Sequence, residues 1–147
     1  MNYILSKDWN PELRAEVWEA LADYDNQLRS VSHPYAATID LEFAQANVSN
    51  GNVPGVVVDS YLILYAIAPP WFSPVPMFVE LMLMKLPSRP KGNFELVHEC
   101  MEDIASDNGC SVVVVGNAYL RKGLSRKYIS AGYAHTNMEL IKEIPNG

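Results

Sequence analysis

Glu80 interrupts the otherwise apolar run Met77–Leu86, in which the only other charge is Lys85. A carboxylate drawn partly out of water has its proton affinity raised toward neutral pH, the property a general base needs. An edge-exposed or salt-bridged glutamate is the plain alternative. Asp59 ends the valine run that begins at Val56, and reads either as a second base or as the cap of a turn. Behind the apolar run stands Arg89-Pro90-Lys91-Gly92-Asn93-Phe94, immediately ahead of a helical pattern. N–H groups at a helix start, with a glycine permitting close approach, make a cradle for a phosphate-type anion, and Arg89 and Lys91 add positive charge. An ordinary polar turn would use the same residues.

Other candidates carry less chemistry. His33, His98 and His135 are scattered and form no metal-ligand pattern. His98, next to Glu99 in a helical stretch, reads as solvated. Cys100 and Cys110 read as small core residues rather than nucleophiles. Trp71 and Phe72 sit in a proline-framed loop, where they would line an acceptor pocket or a protein interface. Arg121, Lys122, Arg126 and Lys127 read first as a solvated helix face. Neither a Walker-type loop nor a dinucleotide fingerprint occurs.

The elements that must position these residues follow from periodicity and turn chemistry. Tyr3–Leu5 is a short strand candidate. Asn10 caps a helix over 11–29, with Pro11 at its first position and Leu13, Val17, Leu21, Tyr24 and Leu28 on one face. Ser32–Pro34 breaks it, and Thr38–Ala46 reads as a second short helix. Turns at Asn50–Asn52 and Pro54-Gly55 lead into strands Val56–Asp59 and Tyr61–Ala68. After the loop Pro69–Pro76 comes Met77–Leu86, apolar on both faces and therefore predicted as a central strand. Asn93–Asp107 is a helix with Phe94, Val97, Met101, Ile104 and Ala105 inward, closed by Asn108-Gly109. Cys110–Val115, with four consecutive valines, is predicted as a buried strand. A helix near Leu120–Ser130, Gly132 and a last strand near Met138–Ile144 complete an α/β order with a mixed sheet.

Composition bounds the function. The 147 residues fit one domain, 1–147, and 49% hydrophobic with 19% charged residues is an ordinary globular balance. A net charge of -6 argues against a nucleic-acid backbone as partner. Two cysteines suit reduced thiols. Residues 1–10 lack a signal-peptide pattern, and the apolar runs are too short to span a bilayer. A soluble, cytoplasmic protein without a membrane partner is the expectation.

Three features resemble the GNAT (Gcn5-related N-acetyltransferase) family. The Met77–Asp107 strand–turn–helix carries an Arg-x-x-Gly turn at Arg89–Gly92, preceded by Leu86-Pro87. Tyr128-Ile129-Ser130-Ala131-Gly132-Tyr133 resembles the family's Tyr-x-x-x-Gly-Phe segment. Met77–Leu86 and Cys110–Asn117 would be its splayed strand pair. The likeness covers roughly Val56 to Ile144; the N-terminal third fits only by element order. It departs at Phe94, where the family prefers Gly or Ala, and at Arg121 and Lys122, where it often has Asn. The resemblance implies the GNAT fold, a mixed central sheet with a splayed strand pair flanked by helices. It implies acetyl-CoA as cosubstrate and no metal. Met84, Lys85, Leu86, Arg89, Lys91, Gly92, Asn93, Phe94 and Asn117 would hold that cosubstrate. Backbone N–H groups freed by the splay would polarise the thioester carbonyl. Glu80 would be the base for an amine acceptor, and Tyr128 would protonate the departing thiolate. Cys110–Ile144 looks most like the small GNAT-like proteins of tailed phages. That makes an inactive binding or virion structural module the alternative, and a host-directed phage effector a third reading. Phage or host proteins are then further partners, host cytoplasm or virion the location, and a homodimer one assembly left open.

Overall fold

In the computed structural model, residues 2–116, 123–134 and 140–145 are described. Five strands form one sheet in the order β1 (Tyr3–Leu5), β2 (Gly55–Val58), β3 (Tyr61–Ala68), β4 (Met77–Lys85), β5 (Val113–Val114). The first four are antiparallel neighbours, whereas β4 and β5 run parallel. Helix α1 (Pro11–Ser30) starts as its sequence predicts: Asn10 Oδ1 accepts the Leu13 N–H at 2.8 Å, with Pro11 behind the cap. Helix α2 (Leu41–Ser49) begins three residues later than expected. Asp40 caps it through the Phe43 N–H, while Pro34–Ala37 takes a separate 3-10 turn.

The sheet is the middle of three layers. One face packs Val56, Ile63, Phe78 and Leu83 against helices α3 (Glu95–Asp107) and α4 (Leu124–Ser130). The other packs Val57, Leu62, Met82 and Met84 against α1, through Leu13, Val17 and Leu21. Adjacent residues of β2 and β3 therefore serve opposite cores, which is why these strands read as continuous apolar runs.

Three expectations need correction. The valine run is not a strand buried on both faces. Val112 is 48% and Val114 42% exposed, whereas Val113 and Val115 pack toward α3. The α1-side core does not extend over β5, so only alternate valines are covered. His98 is not solvated: it is 5% exposed, beneath Tyr128 and Tyr133. Residues 140–145 form no strand; the rest of the predicted Met138–Ile144 strand, like residues 120–122 of the last predicted helix, lies outside the described residues. Among the described residues no helix is long and apolar enough to cross a membrane.

Candidate functional site

Among the described residues, strands β4 and β5 pair Phe78 with Val113 and Val79 with Val114. The Phe78 N–H donates to Val112 O at 3.1 Å. Next to this pairing, Gly116 N–H donates to Glu80 Oε2 at 3.2 Å. Glu80, half-buried, thus stands where the described β4–β5 pairing ends. On the other edge of β4 the register with β3 shifts. Leu64 faces Met82 and Tyr65 faces Glu80, so Leu81 is an inserted, bulged residue, 50% exposed. A bulge reverses the alternation of side chains and bends its strand. Phe78 thereby serves the α3-side core, while Met82, Met84 and Leu86 serve the α1-side core. Leu86 N–H goes to Ser60 O at 2.7 Å, so strand alternation turns the N–H groups of Leu83 and Lys85 toward the β5 side.

Behind Glu80 lies an aromatic cluster that the chain builds from α3, α4 and the segment after Gly132. Tyr128, 4% exposed, has ring centroids of Tyr133, His98 and Phe94 at 5.3, 5.5 and 5.8 Å. Gly132, at φ +100°, turns the chain so that Tyr133 N–H reaches Tyr128 O and its ring folds back. Burial pushes the Tyr133 phenol up to about 12, and the negative charges of Glu102 and Glu80 add to this. Burial lowers the His98 imidazole below its ordinary value, against the smaller pull of Glu95 and Glu102, so it is neutral at pH 7. Tyr133 therefore connects the two catalytic candidates: it meets Tyr128 edge-on, and the Glu80 charge acts on its phenol. Phe94 is the inward anchor of this cluster, edge-on to Tyr61 at 5.6 Å, with Lys127 Nζ 5.1 Å above its ring.

The turn ahead of α3 is held by the chain's own charges. Asn93 N–H donates to Asp59 Oδ2 at 2.8 Å. A Cβ at Gly92 would overlap that same oxygen and come within 3.1 Å of Ser60 Cβ, so glycine is required here by Asp59 and the β2–β3 turn. Arg89 Nε and Nη2 donate to the two carboxylate oxygens of Glu16 on α1, each at 2.8 Å, and Nη1 donates to Asp59 O at 2.8 Å. That pairing lowers the Glu16 carboxyl and raises the Arg89 guanidinium. Lys85 Nζ donates to the carbonyls of Leu86 and Arg89. Lys91 is exposed, and Asn117 lies outside the described residues. On the α1 side of the bulge, Leu21, Tyr24, Ile39, Leu41, Val53 and Leu81 line an apolar cavity of about 190 Å³.

No protein-family model matches the chain, and no curated protein does. Solved structures do. The ribosomal-protein-alanine N-acetyltransferase of Brucella melitensis biovar Abortus 2308 superposes with a TM-score of 0.67 at 13% identity, over 98% of this chain and 100% of that one. An aminoglycoside acetyltransferase from an uncultured soil metagenomic sample gives 0.62 at 10% identity, with both chains fully covered. This chain has the GNAT acetyltransferase fold. A transcriptional regulator from Bacillus halodurans C-125 gives 0.68 at 13% identity, over 97% of this chain and all of the other. At such identities it is the fold that is shared.

Within the GNAT fold, the predicted site residues divide into two groups. Glu80 and Tyr128 share one neighbourhood through Tyr133. Met84 and Leu86 are buried in the α1-side core, and Lys85 and Arg89 are committed to internal partners. The Arg89–Asn93 turn does not fit the diphosphate of CoA. A helix start favours an anion by about 0.3–1 kcal/mol. A carboxylate 4 Å from a phosphate charge opposes it by about 1 kcal/mol in water and about 4 kcal/mol near a protein surface. The sequence reads Asp59 as a base or as the cap of its own turn; its carboxylate instead accepts from the Asn93 N–H of a distant turn. Sequence reasoning missed His98 and Tyr133. His98 lay one turn beyond Phe94 on the apolar stripe, a position that signalled burial.

Proposed function

We propose that this chain is an acyltransferase that moves an acetyl-type group from a thioester to an amine at the opening between β4 and β5. One observation carries the reading: beside the β4–β5 pairs given by the described residues stands a half-buried carboxylate, Glu80, next to a bulge that re-aims the rest of β4. Glu80 takes the proton of the attacking amine. The nitrogen bonds to the acyl carbon, the carbon–sulfur bond breaks, and the thiolate takes a proton from Tyr128. Asp59 on the Asn93 N–H favours a second reading, a GNAT-fold binding module without transfer, because it closes the turn that would anchor a nucleotide.

Thiol release from acetyl-CoA and from S-acetylpantetheine, with a panel of amines and peptides, separates the two. Transfer predicts release that falls roughly 100-fold in Glu80→Gln, with thioester affinity unchanged, since glutamine still accepts from Gly116 but cannot take the proton. Release at background level from both thioesters, or Glu80→Gln turning over at the parent rate, contradicts it.

A further inference from the structure

Resting on the acyl-transfer reading, we infer that the acyl donor is a thioester lacking a nucleotide diphosphate, and that Asp59 is the residue that sets this specificity. The ordinary use of a helix start for a diphosphate depends on backbone amides that point outward unpaired, with cations beside them. Around the first turn of α3 four amides already have partners within the chain. Asn93 N–H goes to Asp59 Oδ2, and Glu95 N–H to Asn93 Oδ1 at 3.1 Å. Leu96 N–H and Val97 N–H go to the carbonyls of Asn93 and Phe94 at 3.2 and 3.0 Å. Of the cations on the chain leading into the turn, Arg89 grips Glu16 through Nε and Nη2 and Lys85 is folded onto two carbonyls; Lys91 remains exposed, and Lys127 of α4 sits over the Phe94 ring.

The Asp59 carboxylate is fixed in that position from several sides. Asp59 lies at φ +53° in the two-residue connection of β2 and β3, a left-handed conformation that Asp tolerates better than most residues. Its carbonyl accepts from Arg89 Nη1, and its carboxylate accepts from Asn93. The glycine at 92 removes the one side chain that would push it out. Phe94 cannot be drawn aside without breaking its edge contacts to Tyr61 and His98. A carboxylate thus occupies the place where a diphosphate would bind, with matching hydrogen-bond acceptance and opposing charge. The opening at Glu80 is untouched by this arrangement, so the thioester end of a donor still has its place.

Calorimetric titration tests the inference with S-acetylpantetheine and acetyl-CoA as probes, on the full chain and on Asp59→Asn and Asp59→Gly. Asparagine keeps the hydrogen bond and removes the charge. Glycine keeps the turn conformation and empties the cradle. In the parent chain the two thioesters should bind within about threefold of one another, because the nucleotide end adds nothing. In Asp59→Gly, acetyl-CoA should bind at least tenfold tighter than in the parent, with S-acetylpantetheine unchanged and Asp59→Asn in between. A parent chain that prefers acetyl-CoA tenfold or more overturns the inference, as does unchanged acetyl-CoA affinity in both variants. Silence of both probes in all three proteins overturns the acyl-transfer reading itself, and this inference with it.

Discussion

Gly92 and Asp59 explain one another. The glycine exists so that the carboxylate can approach Asn93, and the carboxylate makes any side chain at 92 a clash. Their effects on stability must then be coupled. Gly92→Ala should cost roughly 2 kcal/mol in the parent chain, within the range for overpacking, and much less in an Asp59→Gly background, leaving a coupling energy of about 1–2 kcal/mol in urea denaturation. Strict additivity would show that the glycine is needed for some other reason. At this scale the sequence was partly legible. Glu80 stood out because a charge inside an apolar strand is expensive unless placed for a purpose. The Asp59–Asn93 bond joins residues 34 positions apart, and no local pattern announces a carboxylate folded across a hairpin onto a distant turn.

The elements were the most legible part. Capping by Asn10, the apolar stripe of α3 and the β-branched runs of β2 and β3 each state their structure locally, so their bounds came within a few residues. The β5 run misled because four valines look buried wherever they occur, and the missing layer is a property of the fold, not of the run. The bulge was equally hidden, because a strand apolar on both faces gives no alternation in which an inserted residue would show. Its role is testable. Deleting Leu81 should restore a regular β3–β4 ladder and turn Phe78, fully buried and stacked on Tyr65 at 4.8 Å, out of its core. We expect a loss of about 3 kcal/mol or more, whereas Leu81→Ser, at a half-exposed position, should cost under about 1 kcal/mol. Comparable losses from both changes would mean that the bulge sets no side-chain phase.

For the whole molecule, the two cores on either side of the sheet hold one arrangement: an opening between parallel strands, an aromatic cluster behind it, and a self-occupied turn at one end. The likeness in fold to acetyltransferases of known structure extends over the chain. The turn is where this chain takes its own course. Function therefore follows from which of these two places a ligand meets. Backbone amide resonances report on both at once, through Gly116 at the opening and Asn93 at the turn. Titrating the full chain with S-acetylpantetheine should move the Gly116 resonance, as the Glu80–Gly116 contact adjusts to an occupant, and leave Asn93 where it is. A shift at Asn93 without one at Gly116, or no shift at either up to millimolar probe, would contradict the account.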